Sequence, residues 1–290
     1  MRYACITQHE DSYPIRLMCR VLQVTPSGYY AWRQRGPSAR ATRDAWLRGE
    51  IRSIYLASRQ RYGRPRIHRE LQQRGIAVSA KRVGRLLRLE GLQATRRRRF
   101  VRPPSRPADV TRPANRLARR FAVATVPGLN RIWVADATAC WTHQGWLYLA
   151  VVLDLASRRV VGWATGPTLD QLLTRQALTR ALLLRQPGPG WLHHSDQGTA
   201  YTATAYQALL SRHHAAVSFS RRGNCWDNAV VESFFATLKT ELVREARWRT
   251  RAQARVELAA YLDGWYNFER RHSSLSYLSP VAYERQHRAA

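Results

Sequence analysis

The segment 93–120 near the middle of the chain combines four consecutive arginines with four prolines and has no apolar periodicity. Proline removes backbone donors, and adjacent arginines repel one another unless phosphates neutralise them, so this composition is typical of an extended arm. The arm separates two regions of different pattern, and the sequence therefore predicts more than one folding unit. The predicted organisation is an N-terminal helical segment (1–45), a helical domain (46–95), a basic Pro/Arg linker (96–125) and a larger domain (126–290).

The charge of the chain is strongly positive and unevenly placed. The formal net charge is +29, and residues 1–120 hold 29 Lys or Arg against 7 acids, whereas residues 121–290 hold 19 against 12. Such an excess indicates a polyanionic partner, either nucleic acid or an anionic membrane surface. The membrane alternative is weaker, because the sequence has neither a run of about 18 apolar residues nor the apolar core of a signal peptide near its start.

The four cysteines are scattered along the chain without a CxxC pair. This spacing indicates neither a zinc knuckle nor a disulfide framework, and it fits a reducing cytoplasm. The 45% share of hydrophobic residues is that of a folded protein with sizeable cores.

Two helical pairs are predicted in the basic half. Residues 14–34 are predicted to form two short helices joined by the turn TPSG. The pattern fits a small DNA-binding helix-turn-helix and a helical hairpin that only packs on its neighbour equally well. In 61–92, a helix with Ile67 and Leu71 inward precedes a second helix with Ser79 as its N-cap. A cationic stripe on that helix, and the arm after it, are the predicted DNA contacts: Lys81, Arg82, Arg85, Arg88, Arg96, Arg97, Arg98 and Arg99.

From residue 131 onward the pattern changes to strands. IWVADAT alternates, WLYLAVVLDL is a continuous apolar run, and RRVVGWAT is a third strand at short spacing, which favours an antiparallel meander. A helix over about 168–186, the strand WLHH, a helix over about 201–213, the strand AVSFS and a helix from about 228 follow. The predicted order is βββαβαβα, an α/β fold with a mixed five-stranded sheet.

Three acidic residues lie on or directly after elements of this predicted order. Asp136 lies on the first strand, Asp196 just after the fourth, and Glu232 on the helix after the fifth. On that helix Glu232 and Lys239 are stacked on one face, apart from the apolar face, so both can look into a cleft. Carboxylates are the ligands that hard divalent cations such as Mg²⁺ prefer, with water and substrate phosphate completing the shell.

Several motifs in order resemble one known family. WVADAT, HHSDQG and RRGNCWDNAVVESFF, with 35 residues between Asp196 and Glu232, resemble the D,D(35)E core of transposases from bacterial insertion sequences, which are related to retroviral integrases. VTPSGYYAW, YGRPRIHREL and YNFERRHSSLSYLSP resemble the family's start, its upstream helical domain and its C-terminal signature, so the resemblance reaches almost the whole chain.

The resemblance implies an RNase H-like catalytic core in 126–290, with a C-terminal helical extension and an all-α, helix-turn-helix-like DNA-binding region before it. It also implies that Asp136, Asp196 and Glu232 hold two Mg²⁺ ions, with Mn²⁺ as a substitute, to nick transposon ends and join the freed 3′-hydroxyl to target DNA. Lys239 would meet a phosphate beside the metals. Implied partners are DNA, further copies of the chain on DNA, and an upstream-frame protein or fusion, in the bacterial cytoplasm at the nucleoid.

Other readings of the residues stay open. Asp154 is interpreted as a turn former, Asp227 and Asn228 as caps of the last helix, and His193 and His194 as strand packing or an indirect role at the site. Two alternative functions are an RNase H-like metal nuclease that cuts without joining, and a DNA-binding regulator with an inactive core.

Overall fold

The structure, a computed structural model, describes residues 1–94, 115–118, 121–221 and 225–288, without the side chains of 225, 226 and 288. It divides into two compact units, Met1–Gln93 and Ala94–Ala290. The predicted arm contacts at 96–99 lie outside the described residues. No helix in the described part of the chain combines the length and the apolar character needed to cross a membrane.

The first unit is entirely helical in its described residues. Its helices are α1 (Arg2–Gln8), α2 (Ile15–Val21), α3 (Pro26–Gln34), α4 (Ala39–Ala57), α5 (Arg64–Gln73) and α6 (Ala80–Leu89). Ile6, Cys19 and Tyr29 of the first three helices form a small core of their own. Thr25 begins α3 by accepting a hydrogen bond from Gly28 N at 3.1 Å, next to a proline that fits the first helical turn.

The helical pair α5 and α6 matches the sequence prediction. Ile67 and Leu71 of α5 are buried, and α6 buries Val83, Leu86 and Leu87 on the face away from its cations. The Ser79 side chain accepts from Arg82 N at 3.2 Å and so caps α6, as predicted.

The second unit is built on a five-stranded sheet in the order β3-β2-β1-β4-β5. Its strands are β1 (Ile132–Thr142), β2 (Gly145–Asp154), β3 (Val160–Gly166), β4 (Leu192–Ser195) and β5 (Ala216–Phe219). The first three form the predicted antiparallel meander, whereas β4 pairs parallel with β1 and β5 pairs parallel with β4. The predicted order of strands and helices is therefore confirmed, and the sheet is mixed.

The helices of the second unit are α7 (Gln171–Arg185), α8 (Thr199–Thr202), α9 (Thr204–Arg212), α10 (Ala229–Leu238), α11 (Arg251–Ala259) and α12 (Pro280–Arg288). α10 continues into a π-helical turn over Lys239–Val243, and α11 continues into one over Ala260–Glu269. The helix predicted over about 201–213 is confirmed as α9, and extended backbone at Ala203 separates it from the short α8, which was not predicted. The flanking threonines are poor helix formers, which favours a break at this position.

The two faces of the sheet are covered by different helices. On one face, Val134 and alternate residues of β2 pack with α10 and α11 in one core. On the other face, Trp133, Ala135 and their neighbours pack with α7 and α9. This sandwich leaves the ends of β1 and β4 at the border of both cores, next to the beginning of α10.

Candidate active site

Parallel pairing of β1 with β4 brings two predicted carboxylates together. Val134 lies opposite His194 in the register, and two residues further along both chains Asp136 and Asp196 reach the same level. Asp136 accepts a hydrogen bond from Ala137 N at 2.7 Å, and Asp196 accepts one from Gly198 N at 2.9 Å. The first carboxylate is half-buried and the second is exposed, so the pair stands at the mouth of a cleft.

Glu232 reaches the same cleft from α10. The apolar face of this helix, including Val231 and Phe235, is buried against the sheet, which leaves Glu232 half-buried beside it. Asn228 stands at the N-cap position, but its side chain makes no capping hydrogen bond, so the predicted role as a side-chain cap is wrong. Its Nδ2 instead donates to Ala135 O at 3.4 Å, because the helix begins next to β1, and the contact ties α10 to the residue before Asp136.

The pKa of Asp136 shows that the three acids share one electrostatic environment. Burial, with a smaller effect of the carboxylates of Asp196 and Glu232, raises this pKa from 3.8 to about 7, although the Ala137 N–H and the Lys239 ammonium act in the opposite direction. A like charge nearby disfavours a second ionised carboxyl. The cleft therefore holds negative charge that its own residues compensate only in part.

Lys239 lies at the end of α10 on the side of β1. It is half-buried, and its charge acts on Asp136 and on Cys140, whose pKa burial raises to about 11 against the effect of the lysine. Because Asp136 and Cys140 lie on one face of β1, α10 runs along that face from Glu232 to Lys239. The prediction that these two residues look into one cleft agrees with this placement.

In the structure, the three carboxylates are not close enough together to serve as a complete set of metal ligands. Within the described ranges, no three His, Cys, Asp or Glu side chains are grouped closely enough to hold a metal ion. The donor set is nonetheless all oxygen, and the raised pKa of Asp136 reflects burial and mutual repulsion that a cation would relieve. Both properties fit a hard divalent cation such as Mg²⁺.

The two histidines before Asp196 are packing residues. His193 is fully buried with Nε2 3.0 Å from the Tyr206 hydroxyl, and His194 lies between the hydroxyls of Ser218 and Ser220 at 2.9 and 3.1 Å. Burial lowers the pKa of His193 to about 3 and that of His194 to about 4, so both rings are neutral at pH 7. The interpretation as strand packing agrees with these contacts.

Tyr201 is a residue near the site that the sequence reasoning missed. Its hydroxyl is buried and has no hydrogen-bond partner among the described residues. Burial, then Tyr206, Asp136 and Asp196, raise its pKa well above the usual range, which places the ring beside the two aspartates. The only signal in the sequence is its position in the turn SDQGTAY, five residues after Asp196.

Asp154, the nearest rival acid, lies at the end of β2, three register positions from Asp136 and on the other face of the sheet. It pairs with Trp133 at the beginning of β1, and its carboxylate accepts from Ser157 N at 2.7 Å and from Asn130 N at 2.7 Å. These bonds hold the turn after β2, as predicted. Asp227 is fully buried and receives hydrogen bonds from the backbone N and the guanidinium of Arg221.

The C-terminal signature packs against the continuation of α10. Arg270 and Glu241 form a buried ion pair with Nη2 and Oε1 2.8 Å apart, and the Tyr261 hydroxyl donates to the same carboxylate at 2.9 Å. The Tyr266 ring meets Phe234 edge to face, with the ring centres 4.9 Å apart. These contacts hold the helix that carries Glu232, a role that the sequence alone did not indicate.

The cationic stripe of α6 is less free than its sequence suggests. The Asp44 carboxylate of α4 accepts from Arg82 Nε at 2.8 Å and from Arg85 Nη2 at 2.5 Å. Two arginines of the predicted DNA contact are therefore paired with an acid that lies far upstream in the sequence. Lys81 and Arg88 of the same stripe are exposed.

Comparisons with known protein families cover both units. Residues 127–225 and 213–280 match the family described as Integrase core domain, and residues 42–100 match the HTH-like domain. Together with the observed sheet, these matches confirm the predicted fold class: an integrase-type α/β core preceded by a helix-turn-helix-like region.

Similar proteins extend over the whole chain. Among solved structures, the magnesium complex of the HTLV-2 integrase catalytic core domain (dimeric form) shows 16% identity and a TM-score of 0.42, over 55% of this chain and 98% of that one. The insertion element IS600 uncharacterized 31 kDa protein of Shigella sonnei is 38% identical over 274 residues, 94% of this chain and all of that protein. Transposase InsF for insertion sequence IS3A of Escherichia coli (strain K12) is 38% identical over 293 residues and both full lengths. The chain therefore belongs to the family of insertion-sequence transposases that includes InsF of IS3.

Proposed function

We propose that this transposase cleaves and joins DNA at one site, in which Asp136, Asp196 and Glu232 hold two Mg²⁺ ions. The observation that carries the proposal is the shared environment of Asp136 on β1, Asp196 just after β4 and Glu232 on α10, expressed in the raised pKa of Asp136. When bound, such cations activate an attacking oxygen and stabilise the leaving oxygen of a phosphodiester. Mn²⁺, which also accepts oxygen ligands in octahedral geometry, is expected to substitute.

The residues of the chain contribute position and charge. Asp136 is fixed by its pairing with Val151 of β2, and Glu232 is fixed by the packing of α10. Asp196 stands in a turn whose Gly198 leaves little room, since a Cβ there would lie 3.0 Å from the carboxylate. Lys239 supplies a positive charge on the same side of β1 and is proposed to meet a DNA phosphate.

The test of the triad is neutralisation of each acid in turn. Asp136→Asn, Asp196→Asn and Glu232→Gln should each lower nicking and joining by at least about a hundredfold, because ions worth several kcal/mol of charge stabilisation are lost. DNA binding should be retained. Asp154→Asn is the matched control: it should change stability and leave the chemistry intact, because Asp154 holds the turn after β2 on the other face of the sheet.

Joining must be measured separately from cutting. The substrate is a duplex with a precut 3′-hydroxyl end of the element, incubated with target DNA and Mg²⁺ or with EDTA. A covalent end–target product that requires Mg²⁺ supports a transposase site, whereas cleavage without any such product would indicate a nuclease. A Glu232→Gln protein that joins ends at a near-normal rate would contradict the assignment.

We also propose that the helix-turn-helix-like unit contacts transposon-end DNA through exposed cations of α6. Lys81→Ala and Arg88→Ala should each reduce the slope of log K against log salt by about 0.9, the effect of losing one phosphate contact. Arg212→Ala, an exposed arginine at the end of α9, is the control and should leave the slope unchanged. Unchanged slopes for both α6 variants would place the recognition surface elsewhere.

The remaining partners follow from the family. Homo-oligomers on DNA, an upstream-frame protein or fusion, and action at the bacterial nucleoid are proposed on that ground. Sedimentation of the protein with and without end DNA, and with the upstream product present, would test the first two proposals.

A further inference from the structure

Two tryptophans lie exposed at the tip of the β1–β2 hairpin. Trp141 and Trp146 face each other across the strands, with ring centres 5.0 Å apart and ring planes at 76°. About half of each side chain, 56% and 49%, remains exposed. An edge-to-face pair covers only one face of one ring, so aromatic surface stays open to another π system.

The hairpin tip is held in place by the segment after α10. His143 N donates to Trp248 O at 3.0 Å. Arg251 N donates to Gln144 Oε1, and Arg251 Nε to Trp146 O, each at 3.0 Å. The tryptophans are therefore presented on a fixed support, which lowers the entropic cost of binding a ligand.

The same segment surrounds the tip with positive charge. It reads REARWRTR over 244–251, and Arg244, Arg247 and Arg249 are exposed. Among the described residues, the side chains of these three arginines make no hydrogen bond or ion pair. The segment follows directly on the turn that begins with Lys239, and Glu245 is the exposed acid among its arginines.

A structural role explains only part of this arrangement. Cross-strand aromatic pairs stabilise a hairpin, which accounts for the pairing of the two indoles. Hairpin stabilisation does not explain why both indoles stay half-exposed near arginines whose side chains have no partner among the described residues. Such a surface suits a polymer that carries both negative charges and aromatic rings. Single-stranded nucleic acid has both properties.

The hairpin tip lies away from the cleavage centre. Strand alternation puts Trp141 on the face of the sheet opposite Asp136, at a separation of about 17 Å along β1 from the rise of 3.3–3.4 Å per residue. At 3.4 Å per stacked nucleotide, this corresponds to about five nucleotides. Because Trp141 and Asp136 lie on opposite faces of the sheet, a DNA strand that extends from one to the other must also pass round the end of the hairpin.

We propose that Trp141 and Trp146, together with Arg247 and Arg249, bind unpaired nucleotides of the DNA that extends beyond the reacting end. A base stacks on the open indole surface, and the adjacent phosphates lie against the arginines. The proposal rests on the proposed function only in taking DNA as the polymer bound.

The test compares two DNAs on the full chain carrying Asp136→Asn, so that no cleavage occurs. One is a blunt duplex, and the other is the same duplex with a 3′ overhang of about six thymidines, within the range covered by known single-strand sites. Trp141→Ala and Trp146→Ala should each weaken binding of the overhang duplex by about tenfold, within the range measured for one base–aromatic stack. Binding of the blunt duplex should not change.

Two sets of controls separate stacking from folding. Trp141→Phe and Trp146→Phe keep an aromatic face and should retain most of the affinity for the overhang. Phe268→Ala removes an exposed aromatic side chain elsewhere in the same unit and should leave both affinities unchanged. Arg247→Ala and Arg249→Ala should weaken overhang binding and reduce its salt dependence.

The proposal is overturned if alanine at both tryptophans leaves overhang binding unchanged, or weakens both DNAs equally. It is also overturned if these variants instead change the sedimentation of the protein without DNA, which would identify the tip as an interface between copies of the chain. Because the assay measures binding and not cleavage, a failure of the proposed metal triad would not alter its result.

Discussion

Neutralising Asp136 should stabilise the fold while abolishing catalysis. In the folded protein, burial and two neighbouring carboxylates raise the pKa of this group from 3.8 to about 7. At about 1.4 kcal/mol per pKa unit, the shift corresponds to at most about 4 kcal/mol against folding when the group is ionised. Asparagine removes the charge and keeps an Oδ1 acceptor for the Ala137 N–H, which donates at 2.7 Å in the native protein.

The sign of the pH dependence follows from which state binds the proton more tightly. Below about pH 4 both the folded and the unfolded wild type are protonated at this position, so Asp136→Asn should match wild type. Between about pH 4 and 7 the unfolded chain loses the proton that the folded chain retains, and wild-type stability falls. The advantage of the variant should therefore grow over this interval and level off above pH 7.

Native-state hydrogen exchange of the β1 and β2 amides measures this difference, because it reports on the core unit separately from the helical unit. Wild type and variant are compared at the same pH, so the intrinsic exchange rates cancel. Mg²⁺ should increase protection in the wild type at pH 8 and have a smaller effect in the variant, since bound ligand stabilises the folded state. Glu245→Gln, at an exposed carboxylate of the same unit, should show no such gain.

Equal protection of wild type and Asp136→Asn at pH 8 without metal would refute the reasoning. That result would mean that Asp136 is neither desolvated nor repelled by its neighbours.

Two further substitutions test how the site is supported. Gly162→Ala should destabilise the core unit by about 1–3 kcal/mol or more in urea unfolding, because the new Cβ would lie 2.3 Å from Ala177 O of α7. Gly188→Ala is the control, because a Cβ at that position would have no atom within 4 Å. Arg270→Met leaves Glu241 buried without its cation and should cost about 3–5 kcal/mol. Adding Glu241→Gln should restore part of that loss, and a double variant no more stable than Arg270→Met would contradict the ion-pair account.

Much of the fold could be predicted from local patterns. Alternation in IWVADAT, the apolar run in WLYLAVVLDL and the caps and turns between helices depend on neighbouring residues, and the βββαβαβα order follows from them. Ser79 as a cap and Asp154 as a turn former were also predictable, since both act on backbone within three residues. The three acids could be selected because their spacing resembles a known family.

Local patterns were insufficient where the deciding partner is distant in sequence. Asp44 binds Arg82 and Arg85 from another helix, a pairing that the stripe on α6 itself does not indicate. Asn228 looked like a cap, but its amide reaches Ala135 on β1. The residues that surround the site, Tyr201 and the Glu241–Arg270 pair, carry no local signal of their role.

Periodicity and spacing along the chain identify the segments that form strands and helices and the acids that are candidates. The approach of Asp136, Asp196 and Glu232 to one another depends on contacts between distant segments, namely the parallel pairing of β1 with β4 and the packing of α10. The raised pKa of Asp136 has the same origin. Burial and repulsion between carboxylates exist only once the fold has removed water and brought like charges together.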